Sequence, residues 1–159
     1  MSYNRISKDD YYLDIARAVS RRSTCLKRHY GAVIVKNDQI ISTGYNGSPR
    51  GQDNCCDVLK ECPRIKEKSN KGDYSNCPAV HAEQNAMLSS SRSDMIGSTL
   101  YLAGYSITKS VSGKITGNYT RTMLENGMVE CYPCPICLRM ILNSGISRVV
   151  GPQGEISFK

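Results

Sequence analysis

Two short runs, far apart in the chain, constrain its fold more than any other feature. They are Ala79-Val80-His81-Ala82-Glu83 and Pro133-Cys134-Pro135-Ile136-Cys137. Two cysteines three residues apart at a helix start share one face, and His81 on a second helix adds a neutral imidazole. One metal ion can be gripped by all three only if two helix starts converge. Three protein ligands leave a fourth tetrahedral position for water, which separates a catalytic zinc site from a closed structural one. The unpaired N–H groups and positive ends of both helices favour thiolate at Cys134 and Cys137. Glu83, two residues from His81, is a poor fourth ligand while His81 binds, but it stands beside the water as a general base.

The rest of the chain reads as alternating helices and strands. Ser7 followed by Asp10 predicts a helix start, and Tyr12, Ile15, Ala16 and Val19 predict its apolar stripe. That helix fades near Arg21-Arg22-Ser23. Residues 32–35 and 39–43 are apolar, β-branched runs joined by the turn chemistry of Lys36-Asn37-Asp38, a β-hairpin pattern. Residues 44–49 form a loop. Residues 50–77 show charge, Gly, Asn and four cysteines but no periodicity, and such a segment needs something to hold it. A helix is expected over 80–91 and a strand over 99–103. Residues 106–126 read as a polar hairpin or loop, and 128–130 as a returning strand. A last helix is expected over 134–143, with Pro133 at its start and Gly145 just past its end, then a strand over 147–150. The order α-β-β-α-β-α-β implies a mixed sheet covered by helices, and 159 residues suit one domain spanning 1–159.

Composition excludes more than it selects. The first residues lead into Ser7-Lys8-Asp9-Asp10 with no apolar run, so no signal peptide is expected. No apolar stretch approaches the about 18 residues of a membrane span. The eight cysteines fall short of the about 8–10% of a disulfide scaffold, and without an export signal metal binding explains them better. The formal charge of +7 suits a phosphorylated substrate and equally a solvated surface. Ten tyrosines keep an RNA partner open, but no Lys/Arg cluster is interleaved with aromatics, so nucleic acid is not expected.

A lone C-x-x-C is more often redox or structural, and a lone H-x-E is close to noise. The pair, each opening a helix, is the known signature of zinc deaminases acting on cytosine or adenine, and it is recognised here rather than deduced. The chain resembles the deoxycytidylate (dCMP) deaminases of the cytidine deaminase superfamily at residues 23–28, 31–35, 41–47, 81–86 and 134–137. The likeness covers most of 8–105 and 132–150.

The resemblance implies an α/β fold, a mixed sheet of about five strands between helices. It also implies hydrolytic deamination of dCMP to dUMP and ammonia in the cytoplasm, with Glu83 carrying protons. Substrate-binding positions fall at Asn46 (sugar), Ala82 and Arg92 (phosphate). Read without the family, Asn46 is a left-handed turn residue beside Gly47, and Arg92 a helix C-terminal cation. A second, structural zinc is implied at Cys25, Cys55, Cys62 and Cys77, with Cys56 able to replace Cys55; otherwise some of these are small buried side chains. The family also implies a homo-hexamer, activation by dCTP, inhibition by dTTP, and Mg²⁺ accompanying the nucleotide effector. The long 106–126 segment and Glu130-Cys131-Tyr132 before Pro133 depart from the family pattern. They keep open the same chemistry on dCTP, deoxycytidine, cytosine or a tRNA adenosine. An inert nucleotide sensor is a further alternative, and intact Glu83 argues against it.

Overall fold

Ser7 opens the first helix as its spacing predicts. Its hydroxyl oxygen accepts the Asp10 N–H at 3.0 Å, and its O–H donates to the Asp10 carboxylate at 2.9 Å. Helix α1 runs Lys8–Ser20 in the computed structural model, which describes residues 3–67, 74–109, 115–116 and 130–156. The face it buries is Tyr12, Leu13, Ala16 and Ser20, with Ile15 and Val19 half-buried at its margin. That face is rotated from the predicted stripe for a steric reason. A Cβ on Gly31 would lie 2.0 Å from the Ala16 carbonyl oxygen and 2.6 Å from the Ser20 nitrogen. Over Gly31 the helix therefore meets the sheet along small Ala16 and Ser20, and bulkier Val19 is turned aside.

Strands β1 (Arg28–Lys36) and β2 (Gln39–Tyr45) form the predicted antiparallel hairpin. Asn37 and Asp38 both take positive φ, 51° and 60°, the two-residue turn whose twist matches that of the strands. Both strands outrun their apolar cores. β1 gains four residues at its start because β3 (Thr99–Ser106) pairs along it from Val35↔Thr99 to Arg28↔Ser106, a partner no local pattern reveals. Short β4 (Thr108–Lys109) and β5 (Ile115–Thr116) pair with each other, so the 106–126 segment begins as a ribbon. The rest of it, and all but Glu130 of the strand predicted at 128–130, lie outside the described residues. β6 (Arg148–Gly151) runs parallel to β3, and β7 (Gly154–Ile156) pairs antiparallel with β6. The sheet order is β2-β1-β3-β6-β7, the mixed five-stranded sheet expected.

Alternation along the strands sends side chains to two cores. Ala32, Ile34, Leu100, Leu102 and Val149 join Ala82, Ala86, Met87 and Ile141 on one face. Val33, Val35, Tyr101, Ala103 and Val150 join Tyr12, Leu13 and Ala16 of α1 on the other. Besides α1 the helices are α2 (Cys55–Val58), α3 (Ala82–Leu88), α4 (Arg92–Met95) and α5 (Pro135–Ser144). The helix predicted over 80–91 is therefore shorter, Ala82–Leu88, and α4 starts just beyond its expected end. The early end follows from a serine run: the Ser90 hydroxyl donates to the Met87 carbonyl at 3.1 Å, and Ser91 Oγ accepts the Asp94 N–H at 3.1 Å, starting α4 anew. At α5 the first helical residue is Pro135, not Pro133, and Gly145 ends the helix at φ 88°.

Arg148 ties α1 to the distal sheet edge. Its guanidinium donates to both Asp9 carboxylate oxygens at 2.8 and 3.3 Å and to Glu155 at 3.0 Å. The Arg148 hydrogen bonds hold the Asp9 carboxyl below its ordinary range, with the Tyr101 hydroxyl assisting and burial opposing. A depressed folded-state pKa contributes stability above the unfolded value of 3.8, lost as pH falls through the folded value. Arg148→Ala is expected to cost about 1 kcal/mol at pH 7, since these side chains are partly exposed and screened. In urea titrations the deficit should shrink as pH falls below the ordinary carboxylate value and Asp9 becomes protonated. A deficit independent of pH would show that packing, not charge, is what Arg148 supplies.

Candidate active site

His81 and Cys134 hold the same position on two helices. Each is the residue capping the N-terminus, His81 of α3 and Cys134 of α5, and each has extended backbone (φ −74°, ψ 156° and φ −67°, ψ 164°). Local chemistry sets both caps. Gln84 Oε1 accepts the His81 N–H at 2.9 Å, and Cys134 Sγ accepts the Cys137 N–H at 3.4 Å. α3 is also fixed from the sheet side. Ser42 donates to the Ala86 carbonyl at 2.7 Å, Asn85 donates to the Tyr45 carbonyl at 2.7 Å, and Gly47 and Val80 exchange backbone hydrogen bonds of 3.1 and 2.8 Å. The loop after β2 is thereby joined to the residue before His81.

The two caps converge as the motif spacing demands. His81 Nδ1 lies 3.5 Å from Cys134 Sγ and 3.3 Å from Cys137 Sγ. With metal bonds of about 2.0–2.1 Å to nitrogen and about 2.3 Å to sulfur, the edge of a zinc tetrahedron is about 3.6 Å. Both nitrogen–sulfur distances stand close to that spacing. Among the described residues they are the one group of three His, Cys, Asp or Glu side chains whose ligand atoms all lie within 4.8 Å of one another. The Cys134 sulfur is biased toward thiolate, chiefly by the Cys137 thiol hydrogen bonded to it and further by His81 and the Cys137 backbone N–H, against the effect of burial.

Glu83 is buried, 5% exposed, in the first turn of α3. Burial pushes its carboxyl above the ordinary carboxylate range, while its own backbone N–H and the charge of His81 pull the other way. A cavity opens onto His81, Glu83 and Cys134, and its wall includes Arg28, Tyr30, Asn46, Arg64, Tyr74 and Tyr132. Three protein donors, a buried proton carrier and an open cavity are what a metal-assisted hydrolysis needs.

The family model described as "Cytidine and deoxycytidylate deaminase zinc-binding region" matches residues 6–151. The chain belongs to this deaminase family. Over 151 residues it is 38% identical to a deoxycytidylate deaminase of Mycobacterium phage D29, an alignment covering 91% of this chain and 94% of that one. To the deoxycytidylate deaminase of Saccharomyces cerevisiae it is 35% identical over 98% of its own length but only 42% of the yeast protein. The apo dCMP deaminase of cyanophage S-TIM5 superimposes with a TM-score of 0.57 at 26% identity, covering 93% of this chain and 84% of that structure. The resemblance carried by the motif segments and the mixed α/β fold are both borne out.

The structure distributes the other predicted residues unequally. Asn46 sits in the cavity wall, its Oδ1 accepting the Tyr30 N–H at 2.8 Å and its Nδ2 donating to the Arg28 carbonyl at 2.9 Å. Among the described non-glycine residues only Asn37 and Asp38 have positive φ, so Asn46 is not a left-handed turn residue. Ala82 is wholly buried, its side chain in the core against the sheet. Arg92 is exposed at the start of α4 and is not among the cavity-lining residues. It is therefore no C-terminal cation of the motif helix, because that helix has already ended. Cys25, Cys62 and Cys77 line the cavity. Burial foremost, then the charges of Cys55, Cys77 and Cys62, push the Cys25 thiol up to about 12. Cys55 is buried whereas Cys56 is exposed beside Asp57, so α2 turns Cys55 and not Cys56 toward Cys25.

Sequence reading overlooked Arg28, Tyr30, Arg64 and Tyr74. The first two were within reach, since alternation carried back from Ala32 and Ile34 puts both on the α3 side of β1. Arg64 and Tyr74 lie in the aperiodic segment and carry no signal.

Proposed function

We propose that this chain is a zinc-dependent hydrolase that converts dCMP to dUMP and ammonia, acting as one deaminase domain over residues 1–159. The convergence of His81, Cys134 and Cys137 beside buried Glu83, open to a cation-bearing cavity, carries the reading. A zinc ion held by the three side chains supplies Lewis acidity and a water that is nucleophilic near neutral pH. Glu83 would carry one proton of that water to the ring nitrogen and the other, from the hydroxyl then attached to the ring carbon, to the departing amine, leaving a carbonyl. One water is consumed and one ammonia released for each amino group replaced by a carbonyl. Asn46 is held rigid through one N–H and one lone pair of its amide, leaving the others for the sugar hydroxyl. Arg28, at the start of β1 and in the cavity wall, is the better placed cation for the 5′-phosphate, in preference to Arg92.

A panel of dCMP, dCTP, CMP, deoxycytidine and cytosine, followed by ammonia release with and without dCTP and dTTP, tests the reading. dCMP should show the highest kcat/KM, and Arg28→Ala should raise KM for dCMP at least about 10-fold more than for deoxycytidine. Equal turnover of dCMP and deoxycytidine would remove the phosphate from recognition, and faster dCTP would reassign the substrate.

The four thiols Cys25, Cys55, Cys62 and Cys77 belong to a second, structural zinc that pins the aperiodic segment. Metal analysis of the purified chain should give about two zincs per chain, and one would dissolve that assignment. A homo-hexamer governed by dCTP and dTTP, with Mg²⁺ on the effector, completes the proposal. No helix of the described residues is long and apolar enough to cross a membrane, and eight cysteines with no disulfide among them favour a reducing compartment, the cytoplasm.

A further inference from the structure

A histidine that binds a metal usually has its ring plane fixed by a hydrogen bond from the other ring nitrogen to a carboxylate, carbonyl or water. His81 turns Nδ1 toward the two cysteines, and no described residue accepts a hydrogen bond from its Nε2. An aromatic ring packs beside the imidazole. The Tyr74 ring centroid is 5.4 Å from that of His81, with the planes at 50°. On the Tyr74 ring lies the Arg64 guanidinium, its carbon 3.6 Å from the centroid, and Arg64 is only 9% exposed.

We propose that Tyr74 is a positioning residue for His81, with Arg64 clamping it, so that a chain of cation–aromatic and aromatic–imidazole contacts helps to orient the ligand ring. The chain of contacts is anchored at Arg64 and at Tyr74. The Arg64 N–H donates to Cys62 Sγ at 3.4 Å. The Lys27 ammonium, next to the start of β1, donates to the Arg64 carbonyl at 2.7 Å and also to the Glu67 carbonyl. The Tyr74 carbonyl accepts the Cys77 N–H at 3.0 Å. A guanidinium over an aromatic face is attractive, the more so where water is excluded, so Arg64 restrains the Tyr74 ring. Tilting of the imidazole about its Cβ–Cγ bond would displace the ion relative to Glu83. A misplacement of about 1 Å can cost about 10²-fold in rate. Two of the thiols assigned to the structural site flank the residues that orient the catalytic one, which gives the aperiodic segment a task beyond its own folding.

The kinetic part of this inference rests on the dCMP reading; the spectroscopic part does not. The chain has two histidines, so the His81 ring signals of the zinc-loaded full chain can be assigned against His29 by NMR. Tyr74→Phe should leave the His81 ring proton shifts and kcat within about twofold of the parent. Tyr74→Leu should move those shifts and lower kcat about tenfold, with KM for dCMP and zinc content little changed. Unmoved His81 shifts in Tyr74→Leu, or a loss confined to KM, would overturn the assignment. So would a Phe variant as impaired as the Leu one, because the hydroxyl and not the ring would then matter. Should Tyr74→Leu fail to fold, Arg64→Met decides: it should move the His81 signals, and unchanged signals overturn the proposal. A parent chain inactive on dCMP would end the functional reading and leave the NMR comparison standing.

Discussion

Glu83→Gln should stop turnover and leave the zinc in place. The amide copies the shape of the carboxyl but cannot accept the proton of the attacking water or return one to the amine, so kcat should fall by at least about 10³-fold. The side chain is buried in the first turn of α3, so bulk water cannot easily stand in for it. None of the three donors that meet within 4.8 Å is changed, and metal analysis of the variant should match the parent. Loss of zinc would make Glu83 a residue that holds the ligands, and the proton-carrying role would have to be given up. Residual activity above a few per cent would point to another base.

The second large effect is expected far from any reacting atom. Gly44 lies in β2 under α3, and a Cβ there would meet the Ala86 nitrogen at 2.3 Å, the Ala82 carbonyl oxygen at 2.4 Å and the Asn85 carbonyl carbon at 2.9 Å. All three are backbone atoms, so no side chain can swing away and the helix itself must lift. Gly44→Ala should cost at least about 1–3 kcal/mol, a fall in Tm of several degrees for a chain of this size. Because the lifted segment begins at the residue after His81, kcat should also drop by about 10²-fold. Differential scanning calorimetry and single-turnover kinetics on the same preparation check the two together. A variant with the parent's Tm and rate would show that the distance between sheet and helix is not set at this glycine.

What could be read from the chain divides along the range of the forces involved. The ion site was legible because its parts are local: a histidine and a cysteine that each begin a helix, with a second cysteine and a glutamate one turn in. The β1–β2 hairpin was legible because Asn37-Asp38 accept positive φ. The start of β1 at Arg28 and the whole of β7 were not, since both exist through pairing with strands remote in sequence. The early end of the 80–91 helix at Leu88 left no mark in the apolar periodicity, because it comes from Ser90 and Ser91 bonding to nearby backbone. Arg92 was placed by likeness to a family position, and the break that sets it at the start of α4 moved it off the cavity wall. Arg64 and Tyr74 come from a stretch whose order depends on contacts with β1 and the thiols, and spacing carries no trace of that.

Two of the three metal ligands are also the stops on which their helices begin. Shedding the ion and fraying the first turns of α3 and α5 therefore become a single event, felt at both faces of the site at once. A chelator working on such a protein is a local denaturant, and reloading the ion is a small act of refolding.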